Sequence, residues 1–285
     1  MDAAELSRHG YIVMDDHMHL REDGRFTDAV HMFVSAGGNC INLVNVPRED
    51  FSLDHYYEIL YANTISMGDT VRNKYGIAVL VTLGPYPLDY FRFMKAGYDP
   101  VSEMKKGMDL AIKLAKEGRC NALGEVGRPH FPVEDSVMLD SNEILEYGME
   151  LCRDASIPIM LHTEDLSADS YSKLVEMARK SGLRPEMVVK HHALPQDLAL
   201  GVPVRKSILA SKSNVRKALA ISNDFLLETD YVDDAESWKV IPPDSVPRRV
   251  SMILQEFEDW ESFASRCCME LPTEIYGRES FKAIL

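Results

Sequence analysis

At 285 residues, 46% of them apolar and 27% charged, the chain has the make-up of an ordinary globular protein and a natural length for one closed barrel of about 250 residues. Its formal charge of -14 argues against strong electrostatic binding to long nucleic acid or to anionic membranes, and no apolar run approaches the ~18 residues of a membrane span. The first ten residues carry Asp2, Glu5 and Arg8 in place of a basic start and an apolar stretch, so a soluble, cytoplasmic protein is expected.

In chain order, short β-rich runs are predicted at Tyr11 to Asp16, Cys40 to Val46, Gly76 to Leu83, Asn121 to Val126, Pro158 to His162, Met187 to His191, Ser207 to Ala210 and Phe225 to Thr229. Helical spacing fills Phe26 to Ala36, Asp54 to Asn73, Val101 to Glu117, Ser141 to Ala155 and Ser167 to Lys180, with Gly118, Gly182 and the Gly37-Gly38 pair near helix ends. Between residues 193 and 222, Pro195 and Pro203 interrupt the pattern and no long helix is visible before Ser207. Asp244 to Ala264 and Thr273 to Ile284 read as helices covering the outside. Runs such as Ile77 to Val81 are apolar throughout, as parallel strands covered on both faces are. An open doubly wound sheet would show the same alternation. A closed (β/α)8 barrel of TIM type is favoured because histidines and carboxylates fall at the C-terminal ends of five strands, and only closure brings those ends together. With no repeat or linker, residues 1–285 read as one domain. Five cysteines without a C-x-x-C pair, three of them (Cys40, Cys120 and Cys152) in or beside apolar segments, read as buried thiols.

The first chemical signal is the strand Ile12 to Asp16 running into His17-Met18-His19. Residues two apart on a strand share a face, so both imidazoles could hold one cation, where the alternative is a pair of solvent-facing loop histidines. Gly124-Glu125-Val126-Gly127 ends another apolar strand, and its glycines would let backbone and ligand approach the carboxylate. His162, His191 and Asp230 each end a further strand. Any one of these residues alone is more simply structural, but the repetition at successive strand ends points to a metal site. A mixed nitrogen and oxygen set favours zinc, while manganese, magnesium, iron or nickel would also accept it.

In this order of motifs, His17-Met18-His19, Gly124-Glu125-Val126-Gly127, Leu161-His162-Thr163, His191 and Glu228-Thr229-Asp230, the chain resembles the TatD-like metal-dependent hydrolases of the amidohydrolase superfamily. The resemblance implies a (β/α) barrel with one or two divalent cations and hydrolysis, of phosphodiesters in some members. By position, it implies His17, His19 and Asp230 around one metal, His162 and His191 around the other, and Glu125 between them. The chain departs from the pattern at Gly127-Arg128-Pro129 and at His192-Ala193, where substrate contacts are expected. The Lys190-His191-His192 run leaves two histidines for one ligand position; the family register selects His191 and leaves His192 as a supporting or substrate-facing residue.

A cation would make water nucleophilic near neutral pH. Asp230 would take the water's proton and return it to the leaving group, with Glu125 as the second catalytic carboxylate. Arg128, His130 and Arg21 could bind an anionic substrate group or stand in solvated loops. The aromatic stretch Tyr86 to Tyr98 could lid the site or pack against the barrel, and Asp233, Asp234 and Glu236 read as a solvated loop. Lys190 is expected to point away from His191, so it is not taken as a bridging ligand. The expected function is therefore a metal-dependent hydrolase acting on a small molecule or short nucleic acid. The alternatives are an amidohydrolase for a small amide, lactone or ring, a non-catalytic metal-binding barrel, and a barrel with a purely structural role.

Overall fold

The computed structural model describes residues 1–233 and 241–285. Its parallel strands are β1 (Met14–His19), β2 (Cys40–Val44), β3 (Ala78–Leu83), β4 (Ala122–Gly127), β5 (Ile159–His162), β6 (Val188–Ala193), β7 (Arg205–Leu209), β8 (Leu226–Glu228) and β9 (Tyr231–Val232). Each strand from β1 to β8 pairs with its neighbours in sequence, and β9 pairs with β1. β8 and β9 are two stretches of one last strand, separated only by Thr229 and Asp230. The first stretch follows β7 and the second lies on β1, so the curled sheet meets itself as the (β/α)8 reading requires. The sequential strand order excludes the open doubly wound sheet.

Helices Thr27–Ser35, Tyr56–Tyr75, Pro100–Lys116, Asp135–Ala155 and Ala168–Lys180 lie where the periodicity predicts them. Their buried faces meet the outward residues of the strands: Phe33 and Val30 join Val13 and Met18, while Ile144 and Met149 join Leu123 and Ile159. Pro185–Met187 and Pro195–Leu200 are 3-10 turns, and the second takes the place of a helix after β6. A short helix, Lys212–Leu219, separates β7 from β8. Only Val215 and Ala218 of it are buried, too few to show a helical period.

The C-terminal region departs from expectation. Ser245–Glu256 and Trp260–Ser265 cover the outside, their buried residues packing with those of β1 and of the N-terminal helix Ala3–Arg8. The following turns instead close the barrel floor. Leu271, Ile275, Tyr276 and Phe281 cluster with inward residues such as Met14, Cys40, Leu80 and Val189. Tyr276 donates its hydroxyl hydrogen bond to Asp16 at 2.7 Å, and Ile12 N donates to Cys268 O at 2.7 Å. An apolar sequence signal cannot tell a floor from a wall, because both bury the same residues. All five cysteines are buried free thiols. Among the described residues, no helix is long and apolar enough to cross a membrane.

Three strands carry one extra residue relative to a neighbour. The register slips between Asp15 and Met18 in β1, between Leu123 and Val126 in β4, and between Lys190 and Ala193 in β6. Each slip contains a residue singled out above: His17, Glu125 or His191. A β-bulge breaks the alternation of a strand and re-aims side chains. Thus Met14 and His17 both reach the barrel interior although strict alternation would separate them. The last strand breaks in the same layer, where Asp230 takes a left-handed φ of 48° that Asp tolerates better than most residues.

Candidate metal centre

Glu125 stands at the middle of the barrel mouth, 5% exposed, with imidazoles on both of its oxygens. Oε1 lies 2.9 Å from His17 Nε2 and 3.0 Å from His19 Nε2. Oε2 lies 2.7 Å from His162 Nδ1 and 3.4 Å from His191 Nε2. Asp230 Oδ1 completes the first side, 3.7 Å from His19 Nε2 and 3.9 Å from His17 Nε2. The mouth above them is a pocket of about 220 Å³ whose walls include Val46, Pro47, Tyr86 and Val232.

Each ring is held from behind. His19 Nδ1 faces Val44 O at 3.1 Å, and as a donor there it leaves Nε2 with a lone pair toward the mouth. His17 Nδ1 rests against Met160 Sδ at 2.9 Å, and His191 Nδ1 faces Glu228 Oε1 at 3.5 Å. His162 is reversed: its Nε2 lies 2.9 Å from His130 Nδ1, and its Nδ1 points to the centre. Beneath the rings, Asp15 receives the backbone N–H groups of His17 and Thr229 and the Thr229 hydroxyl, tying β1 to the turn that presents Asp230.

The charges of the cluster are interdependent. Burial by itself would raise the Glu125 carboxyl, but the imidazoles around it, His17 and His191 foremost, hold it well below the usual carboxylate range. Burial opposes a proton on His191, yet Glu125 and Glu228 outweigh it and push this imidazole up to about 10. On Glu228 burial is likewise overcome, chiefly by His191, and its carboxyl is drawn down to about 2. His17 is lowered, first by burial and then by His191.

These side chains fit divalent cations. His17 Nε2, His19 Nε2 and Glu125 Oε1 are mutually 2.9 to 3.1 Å apart. Ligand atoms about 2.1 Å from one ion would lie roughly 3 Å apart at octahedral angles and about 3.4 Å apart at tetrahedral ones. Crowding several acceptor atoms together in a buried site is costly unless a positive charge lies between them. Two overlapping sets, His17 with Glu125 and His191, and His17 with His19 and Asp230, bring their ligand atoms within one ion's reach.

The structure thus gathers His17, His19, Glu125, His162, His191 and Asp230 and leaves other candidates outside. His192 is exposed with φ 50°, its N–H donating to Glu228, and of the two adjacent histidines only His191 reaches the centre. Arg128 turns to Glu164 at 3.5 Å, and the Arg21 guanidinium pairs with Asp23 at 3.0 Å. His130 backs His162, so its nearest role is to support a ring at the centre. Asp233, expected in a solvated loop, is buried and accepts from the backbone of Arg21, Arg25 and Phe26. Asp234 and Glu236 lie outside the described residues. The glycines beside Glu125 serve strand packing: a Cβ on Gly127, whose φ is 142°, would collide with the His162 carbonyl, and one on Gly124 would lie 2.8 Å from Met160 Cβ. Lys190 is buried, its ammonium bound to His191 O at 2.8 Å, away from the imidazoles as expected. Glu228, although quoted in the last motif, and Asp15, beside the first, are given no role by the sequence reading. The aromatic stretch divides: Tyr86 meets the His162 ring edge-on at 5.0 Å, while Tyr90 and Phe93 pack into the core.

The family model described as TatD related DNase matches residues 14–268. An uncharacterized protein of Methanocaldococcus jannaschii is 34% identical over 230 residues, covering 78% of this chain and 80% of that protein. Among solved structures, the TatD homologue YjjV of Escherichia coli superposes with a TM-score of 0.63 at 17% identity, over 95% of this chain and 98% of its own. A variant of the organophosphorus hydrolase of Deinococcus radiodurans gives 0.61 at 14% identity, over 97% and 95%. The last two likenesses concern the fold.

Proposed function

The chain belongs to the family of TatD related DNases and is a metal-dependent hydrolase, and from that premise we propose that it cleaves a phosphodiester or small phosphoester at the barrel mouth. The observation that carries this reading is the position of Glu125, each of whose oxygens faces its own pair of imidazoles. A carboxylate so placed would bridge two cations, and a bridged pair suits in-line displacement at phosphorus, where attacking and leaving oxygens both carry charge. We take zinc as the first candidate. His17, His19 and Asp230 would hold one ion, His162 and His191 the other, with Glu125 between. When bound, the cations lower the pKa of water and draw electron density from the ester bond.

The chain's own residues supply the rest. Asp230 is the most accessible carboxylate of the cluster, its side chain 28% exposed against 6% for Glu125. It therefore meets solvent and substrate together and would accept the proton of the attacking water as the new P–O bond forms. As the ester P–O bond breaks, the same carboxyl returns that proton to the departing oxygen. Val44 O and Glu228 fix the rings of His19 and His191, and Asp15 fixes the turn that carries Asp230.

A second reading has one observation in its favour: no lysine or arginine lines the pocket over the cluster among the described residues. That agrees with a neutral amide, lactone or ring substrate. Zinc-reconstituted protein assayed side by side on a chromogenic phosphodiester, a lactone and an anilide separates the two. Turnover of the diester at least about tenfold above the others supports the proposal. Turnover confined to lactone or anilide replaces its substrate class, and turnover of none by metal-loaded protein favours the non-catalytic barrel.

A further inference from the structure

Beside the pocket over the imidazoles lies a second cavity of about 520 Å³, and the two share Pro47 and Tyr86 as common wall. The cavities differ in chemistry. The first is floored by the histidines and carboxylates of the centre, while the second is walled by Pro47, Tyr86, Leu88 and Phe91, with the Asp89 carboxylate at its edge occupied by the Tyr57 hydroxyl and the Tyr86 N–H. Arg92 also borders the second, but its guanidinium is committed to the structure. It donates to the carbonyls of Arg48, Glu49 and Phe51 at 2.9, 3.3 and 2.6 Å and lies 4.5 Å over the Tyr56 ring. Arg92 therefore clamps the loop after β2 against helix Asp89–Lys95, so the cavity is held open by built contacts. Its exposed rim carries one charge of each sign, Glu49 and Lys95.

The rings continue across the mouth. Phe91 stacks on Phe131 with centroids 6.1 Å apart, and Phe131 adjoins His130, which backs His162. Phe131 remains 42% exposed.

We infer that this second cavity is the subsite for a planar aromatic group of the substrate, and that Phe91 and Tyr86 determine specificity. Such a substrate joins a small hydrolysable group, set over the imidazoles, to an aryl group lying past Tyr86 between Leu88 and Phe91. Edge and face contacts from two rings favour an aryl group over an alkyl chain of similar area. What sits over the imidazoles follows from the phosphoester reading, whereas the aryl subsite rests on the cavity itself.

The test is a titration of protein carrying ¹³C-labelled leucine methyls with phenylphosphonate, methylphosphonate and phenol, none of which is turned over. Phenylphosphonate and phenol are expected to shift the Leu88 methyls and methylphosphonate to leave them in place. Phe91→Ala is expected to weaken phenylphosphonate roughly tenfold and methylphosphonate less than about twofold. Unmoved Leu88 methyls at saturating phenol, or an equal loss for both phosphonates in the variant, overturns the subsite. Phenol at Leu88 with neither phosphonate bound keeps the subsite and removes the phosphoester reading.

Discussion

Asp15 holds Thr229 twice, accepting its backbone N–H at 3.0 Å and its hydroxyl at 2.6 Å across 214 residues of sequence. The pair is buried and joins the first strand to the break in the last. Asp15→Ala leaves the N–H groups of Thr229 and His17 without acceptors, which should cost about 2 to 4 kcal/mol of stability. Urea denaturation of metal-free protein measures it, with Asp15→Asn expected to restore part of the loss. A loss below about 0.5 kcal/mol would show that the turn holds without this anchor.

Glu125→Gln should empty both halves of the centre, since an amide keeps the shape and removes the charge facing four imidazoles. Elemental analysis of wild type is expected to give about one to two divalent ions per chain, and of the variant far fewer. Full metal content in Glu125→Gln would rule out a bridging carboxylate.

Metal uptake should also release protons. His191 is held up to about 10 in the metal-free protein, and only its neutral form can ligate. Below that pH a cation must expel the proton, so affinity should strengthen as pH rises, by at most about tenfold per unit for each proton released. Calorimetry in two buffers of different ionisation enthalpy counts those protons, and a count of zero would show that His191 is already neutral before the metal arrives.

Asp89 offers a pH test away from the centre. Its carboxyl is buried, which pushes it up to about 7 despite hydrogen bonds from Tyr57 and the Tyr86 N–H. Because the folded value exceeds the unfolded one, its contribution is fully present below about pH 4 and is lost as pH rises toward 7. Asp89→Asn does not titrate, so the stability difference, wild type minus variant, should fall by up to about 1.4 kcal/mol per pH unit across that window. Parallel pH profiles from thermal or urea unfolding would contradict it.

Asp233 gathers the loop after β1 by accepting from the N–H groups of Arg21, Arg25 and Phe26. Asp233→Ala should free that loop, and limited trypsin digestion should cut after Arg21 or Arg25 at least about tenfold faster than in wild type. Unchanged cleavage would mean that other contacts hold the loop.

The sequence makes the strands legible because parallel strands covered on both faces are short apolar runs, and each run identified from residue 11 to residue 229 overlaps a strand, the first by only three residues. Legible too are the side chains that meet at the barrel mouth, since His17, Glu125, His162, His191 and Asp230 each stand at or beside the end of such a run. Three things were not legible. The bulges at His17, Glu125 and His191 arise from pairing with the neighbouring strand, which no single-strand pattern encodes. Asp233 looked solvated because its partners are backbone N–H groups, invisible to composition. Arg128, His130 and His192 stand near the right places, but their side chains obey contacts with Glu164, His162 and solvent that only the folded chain defines.

The floor and the last strand have a consequence for synthesis. β1 gains its second neighbour only when Tyr231 and Val232 arrive, and Asp16 within it receives the Tyr276 hydroxyl only once the floor is made. A nascent chain therefore carries an open strand edge, and Asp16 lacks its phenol, until Tyr231 and Tyr276 have left the ribosome. Chaperone demand should be greatest for chains stalled between β7 and the final turns, where that edge is still open.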